Sequence, residues 1–285
     1  MTINTLAEEF LKNYCERRLR PSTVRGYRVN LHRHVLPAFG DFPADSLTVS
    51  DLDFLTELLK GRGLSNRSIV YVHATLRKMI NYAIRRGYMD FNPYGRFDLP
   101  RINRYKYQVL PESEMRRMLD CVQGTSLEIP VTMALCYGLR RGECLGIIPE
   151  RDLDPCDMTL HVQRSRSWES GREVVTPCKT EDSDRYILLR PEHFDMLCCT
   201  PYNGSYACKL TPNQMENRFK ILLENFDFPN IRFHDLRHSY ATLMLKKGVD
   251  LKIISDVLGH SDIAITADTY LHPDVSVQKR CLEVF

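Results

Sequence analysis

The chain has 285 residues, 43% of them hydrophobic and 26% charged. That is enough apolar material for a sizeable core and length for about two domains, which excludes a disordered or fibrous protein. The first ten residues, MTINTLAEEF, are acidic where a secretory signal would be basic and then apolar, and the longest largely apolar run, Ile129 to Leu139, is far short of the ~20 residues of a membrane span. The expectation is a soluble cytoplasmic protein.

The net charge of +3 hides an asymmetry: residues 1–105 hold 17 Lys and Arg against 10 Asp and Glu, whereas residues 106–285 hold 22 against 26. A basic first third points to a polyanionic partner, most often nucleic acid. The ten cysteines contain no C-x-x-C pair, so they read as free thiols in a reducing compartment rather than as a zinc or redox motif. Neither a P-loop nor a G-x-G-x-x-G sequence is present, so nucleotide-driven chemistry has no visible apparatus.

In chain order, Leu6, Phe10 and Leu11 recur at helical spacing. Ser22 or Thr23 can cap a second helix carrying Val24, Tyr27, Leu31 and Val35, stopped by Pro37 and Gly40. Ser50 with Asp53 resembles a capping box opening a third helix over Leu52–Leu59. Ser65 caps a long fourth helix, with Ile69, Val72, Leu76, Met79, Ile80 and Ala83 on its apolar face and Arg77, Lys78, Arg85 and Arg86 on the other. From residue 91 the pattern breaks at Asn92-Pro93, Gly95 and Pro100. The boundaries that follow are a helical domain over 1–97, a basic linker over 98–108 and a second domain over 109–285.

The second domain opens with helices over Glu112–Val122 and Pro130–Tyr137, the latter closed by Gly138. Around residues 157–190 the period changes to two. Met158, Leu160 and Val162 alternate with polar residues, and Val174-Val175 and Tyr186–Leu189 are strand-like. These predict a small antiparallel sheet of two or three strands, with turns at Gly171 and at Glu181–Asp184. Helices return over Pro212–Phe226, His234–Lys247 and Leu251–Leu258. The fold class is therefore mainly α with a small antiparallel β-sheet.

Within FHDLRHSYATLML, His234 and Arg237 are three apart and share one face of a helix, in its first turn. Unpaired N–H groups and the positive end of the helix dipole favour an anion there. His234 and His238 also imitate a zinc-binding H-E-x-x-H pattern, but Arg237 beside them would repel the metal and no third ligand is spaced to join. In CYGLRRGECLG, a helical turn would let Glu143 orient the Arg140 guanidinium rather than its neighbour Arg141. Lys179 precedes a polar turn. His260 follows Gly259 and Tyr270 comes ten residues later.

In this order the motifs GLR-x-GE, a hairpin lysine, H-x-x-R, LGH and a late tyrosine strongly resemble the tyrosine recombinases, the phage-integrase family, over nearly the whole chain. The resemblance implies a helical core-binding domain followed by a tyrosine-recombinase catalytic domain. It places Arg140, Lys179, His234, Arg237, His260 and Tyr270 at the catalytic positions, with Glu143 supporting. It further implies double-stranded DNA as substrate, no metal or other cofactor, and a homotetramer on paired DNA sites, and it leaves room for an accessory directionality protein. Many family members carry an additional N-terminal domain for arm-type DNA sites; here Met1 leads almost at once into the core-binding helices. The apolar tail ending in Leu282, Val284 and Phe285 is expected to dock on a neighbouring protomer, as tails in this family often do.

The chemistry fits those residue types. Tyr270, with a phenol pKa near 10, needs help losing its proton as it attacks phosphorus. Two arginines can fork onto the non-bridging oxygens, which a lysine cannot do. His260 can donate a further hydrogen bond and His234 can assist proton transfer. The resemblance assigns Lys179 to protonate the departing 5′-oxygen. Arg28, Arg77 and Arg85 are the expected contacts to DNA backbone. The competing readings are a catalytically silent DNA-binding regulator, which predicts loss of a chemical residue although all six are present, and a relaxing topoisomerase, which the full motif set disfavours.

Overall fold

The computed structural model describes residues 1–102, 107–169, 171–178, 183–200 and 204–259. The chain forms two compact units, residues 1–105 and 106–285.

In the first unit, α1 (Ile3–Phe10) runs through a π-turn at Leu11–Cys15 into α2 (Glu16–Arg18). The next pair repeats the device: α3 (Pro21–Asn30) passes through Leu31–Val35 into α4 (Leu36–Phe39). Two longer helices follow, α5 (Val49–Gly61) and α6 (Asn66–Arg85). Their apolar stripes meet in one core around Phe10, Leu31, Leu55, Leu76 and Met79.

Three helix boundaries differ from those expected. The cap of α3 is Arg20, with Pro21 in the first turn, because a proline's fixed φ and missing N–H suit that position better than Ser22 or Thr23 placed one or two residues on. Pro37 does not stop the helix for the same reason: it lies in the first turn of α4, which ends at Gly40. The capping box is Thr48 with Asp51, whose side chains exchange bonds with each other's backbone N–H at 3.3 and 2.8 Å, not Ser50 with Asp53. Ser65 caps α6 by accepting from the Ser68 N–H. A short 3₁₀ turn at Pro93–Arg96 buries Pro93 and Tyr94 against this core.

The second unit opens with α7 (Glu112–Val122), α8 (Glu128–Tyr137), α9 (Arg141–Leu145) and α10 (Pro149–Asp152). Strands β1 (Leu153–Asp154), β2 (Thr159–Val162), β3 (Arg164–Glu169), β4 (Arg172–Pro177) and β5 (Arg185–Leu188) follow, then α11 (Pro191–Cys198), α12 (Pro212–Asn225), α13 (Phe233–Lys246) and α14 (Leu251–Leu258). The expected single sheet is two. The order β1-β2-β5 makes one antiparallel sheet, with Leu160 opposite Ile187, and β3-β4 makes another, turning at Gly171 with φ +79°. The second expected turn, at Glu181–Asp184, begins outside the described residues. Leu160 and Ile187 point into a core shared with Val131, Leu135, Leu145, Phe219 and Leu236.

Two close approaches position the site. α8 is buried on nearly every side and packs against α13. α9 lies on β3 so tightly that a side chain at Gly142 would overlap Ser165. No helix among the described residues is long and apolar enough to cross a membrane, and the described cysteines are free thiols.

Candidate active site

The site is built from helix ends. α8 terminates at Gly138, left-handed at φ +67°. A Cβ there would lie 2.7 Å from the Tyr240 ring, so both the turn and the packing demand glycine. Two residues on, Arg140 is the N-cap of α9, and Glu143 in the first turn reaches back to it. One carboxylate oxygen accepts from the Arg140 backbone N–H at 2.9 Å and the other from its guanidinium at 2.7 Å. α13 repeats the arrangement: the fully buried Asp235 accepts from the backbone N–H of Arg232 at 2.9 Å and from its guanidinium at 2.8 Å. Arg141 turns away and pairs with Glu216 on α12, so Glu143 orients Arg140, as their spacing implied.

Arg237 is almost wholly buried, at 2% exposure. Its guanidinium donates to the Gly138 carbonyl at 2.6 Å and to the Leu258 carbonyl at 2.8 Å. Arg140 donates to the next carbonyl along, that of Gly259, at 2.8 Å. Both arginines are therefore moored to the C-terminal turns of α8 and α14, where orphan carbonyls and the negative end of the helix dipole favour cations. They hold neighbouring carbonyls of one helix end, with Arg140 the more open at 36% side-chain exposure. Beside it, Arg140, Arg141, Lys220, Arg232 and His234 line an open cleft between α9, α12 and the start of α13.

Of the two histidines of α13, His234 lines this cleft and His238 is buried beneath it in the same helix. His234 keeps an exposed face; partial loss of water around the ring and then the Arg237 charge hold its pKa below the usual value. His238 is buried, which lowers its pKa to about 4, and the Tyr107 ring lies against it, tilted by 39° with centroids 3.9 Å apart. The two imidazoles meet edge to face at 5.0 Å. Among the described residues no three His, Cys, Asp or Glu side chains gather as metal ligands would.

Sequence reasoning missed Arg185, a buried arginine on β5 that also binds Glu143, at 3.0 Å. Burial pushes the Glu143 carboxyl up, but Arg185 and then Arg140 outweigh that and hold it below the ordinary carboxylate range. Asp235 and Arg232 were passed over as well, although the capping spacing of three residues could have signalled them.

Of the expected DNA contacts in the first unit, Arg28 is paired to Glu16 at 2.7 Å, Arg85 lies over the Tyr14 ring and Arg77 is exposed on α6. Lys179, His260, Tyr270 and the tail to Phe285 lie outside the described residues.

Residues 108–276 match the model of the phage integrase family, and residues 2–58 match the phage integrase N-terminal SAM-like domain. The chain belongs to the phage integrase family, the tyrosine recombinases. It is 30% identical to the tyrosine recombinase XerC of Alcanivorax borkumensis, over 96% of this chain and 89% of that one. Its fold superposes on the Tn1549 transposon integrase, solved in complex with a circular intermediate DNA, with a TM-score of 0.86 at 20% identity across all of both chains. It also resembles the lambda integrase, solved as a tetramer bound to a Holliday junction, with a TM-score of 0.70 at 15% identity over 94% of this chain and 77% of that one.

Proposed function

We propose that this site-specific recombinase uses Tyr270 to attack a scissile phosphate held between Arg140 and Arg237. The Tyr270 oxygen bonds to phosphorus and the bond to the 5′-oxygen breaks, leaving a 3′-phosphotyrosyl linkage. His234 assists removal of the phenol proton, and Lys179 supplies one to the departing 5′-oxygen. His260 donates a further hydrogen bond to the phosphate. A 5′-hydroxyl from a second DNA end then attacks the linkage, freeing Tyr270 and joining the new strand. The phosphodiester energy stays in the covalent intermediate, so the cycle runs without ATP, and the guanidiniums supply the charge neutralisation a metal would otherwise provide.

The observation that carries this reading is the mooring of Arg140 and Arg237 to neighbouring carbonyls of one helix end, Gly259 and Leu258. By analogy with the lambda integrase tetramer on a Holliday junction, the working unit is a homotetramer on DNA. It acts in the cytoplasm on paired duplex sites, with room for an accessory protein that sets direction. The basic first unit grips backbone through residues such as Arg28, Arg77 and Arg85.

The test is a nicked suicide DNA carrying the recombination site. Wild-type protein should accumulate a covalent adduct. Tyr270→Phe should bind the same DNA and form none. An adduct on Tyr270→Phe would place the nucleophile on another residue.

A further inference from the structure

Arg185 is 8% exposed on a short edge strand, a place where an apolar side chain would pack at no electrostatic cost. All three nitrogens of its guanidinium nevertheless donate hydrogen bonds. Nε donates to the Val257 carbonyl at 2.6 Å, Nη1 to the Ser183 carbonyl at 3.1 Å, and Nη2 to Glu143 Oε2 at 3.0 Å. Nη1 also approaches Glu143 Oε1 at 3.4 Å.

Two features make this more than a buried ion pair. First, Glu143 is the carboxylate that orients Arg140, so Arg185 and Arg140 share both of its oxygens. Second, three consecutive carbonyls at the end of α14 each receive a different arginine: Val257 takes Arg185, Leu258 takes Arg237 and Gly259 takes Arg140. One helix terminus thus sets the register of all three guanidiniums. In sequence, the next residue is His260, and Lys179 lies six residues before Arg185.

We propose that Arg185 is a positioning residue for strand cleavage: through Glu143 it fixes the Arg140 guanidinium, and through Val257 it locks the end of α14 to the strand that follows the Lys179 segment. This rests on the recombinase reading above. The groups bonded to the Glu143 carboxylate are Arg185 from β5 and Arg140 from its own helix cap, and its charge raises the pKa of the Cys144 thiol on its own helix and of the Cys178 thiol beyond β4, while Arg237 lowers that of Cys144. Only the two cations bonded to it counter its burial. Without Arg185 the carboxyl takes up a proton more readily, and the protonated group loses its charge-assisted hold on Arg140.

The experiment uses the full chain with Arg185→Met, Arg185→Lys, Glu143→Gln and the double variant Arg185→Met/Glu143→Gln. Folding, DNA affinity and single-turnover formation of the covalent adduct are followed from pH 5 to pH 8. Arg185→Met should fold and bind DNA as wild type does, cleave roughly 100-fold more slowly, and show an acidic fall in rate that begins at a higher pH than the wild-type fall set by His234. The double variant should be no slower than the worse single one, and Arg185→Lys should recover part of the rate. A wild-type rate in Arg185→Met, or a loss that follows the folded fraction with an unchanged pH profile, would overturn the proposal. The wild-type adduct on the same DNA reports separately on the recombinase reading. Independently of cleavage, carboxyl NMR of the DNA-free protein should show Glu143 titrating higher in Arg185→Met; an unchanged titration also overturns it.

Discussion

In the first unit the cations are peripheral. Arg18 and Arg86 lie over the rings of Tyr14 and Tyr82, Arg28 is answered by an exposed Glu16, and among the described residues no Asp, Glu, Lys or Arg of this unit is buried. Its fully buried polar side chains are neutral and bond one another: Asn30 donates to Thr75 at 2.8 Å, and His73 bridges Thr56 and Tyr94 at 2.9 and 2.8 Å, while the buried Nδ1 of the half-buried His34 has no hydrogen-bond partner. The second unit does the reverse, burying Glu143, Asp152, Arg166, Arg185, Asp235 and Arg237. Taking such groups out of water costs several kcal/mol each, which pairing only partly offsets. Four of them, Glu143, Arg185, Asp235 and Arg237, surround the candidate site. Exposed surface cations suit a diffuse polyanion; fixed, desolvated ones suit a single phosphate whose charge builds in a transition state.

The comparison is broken most severely by removing a buried charge. Glu143→Ala leaves Arg185 uncompensated and should lower the stability of the second unit by about 3–5 kcal/mol, read by urea unfolding; loss of an exposed acid such as Glu16 should cost under ~1 kcal/mol. Next, Arg237→Lys keeps the charge but loses the fork between Gly138 and Leu258. Single-turnover cleavage should fall by roughly 10²–10³-fold, while Lys78→Ala should leave that rate unchanged at saturating DNA.

Acid should weaken both units for one shared reason. His73 and His238 are each lowered by burial to about 4, whereas an unfolded histidine titrates near 6.5. As pH falls from about 6.5 towards 4 the unfolded chain takes up protons that the folded one refuses, so stability declines across that window and levels off below it. His73→Gln should flatten this dependence in the first unit, by an amount of order 3 kcal/mol, and leave it intact in the second; equal flattening in both would contradict the separation. The smallest effect belongs to the periphery. Arg77→Ala should reduce the salt slope of DNA affinity by about 1 and do so alike for all sequences.

What could be read in the sequence follows from the range of each signal. The helices over Glu112–Val122 and Leu251–Leu258 match the expected bounds, because caps and the 3.6-residue period are local. Gly138 and Gly259 stood out for the same reason. Strand β3 was missed because Arg164-Ser165-Arg166-Ser167 carries no apolar alternation; it is fixed instead by its partner strand and by its close approach to Gly142 in α9 and Gly146 just after it. Arg185 escaped notice because its partner Glu143 is 42 residues away, a separation no periodicity encodes. Arg140 with Glu143 was legible, since three residues on a helix suffice.

The central claim is that Arg140 neutralises charge on the scissile phosphate. It is tested most directly by comparing adduct formation on an ordinary nicked substrate with one whose scissile phosphate bears a methyl group in place of a non-bridging oxygen. Arg140→Ala should be roughly 10²–10³-fold slower than wild type on the charged phosphate and recover most of that loss on the uncharged one. An equal deficit on both substrates would show that Arg140 serves the fold and not the phosphate.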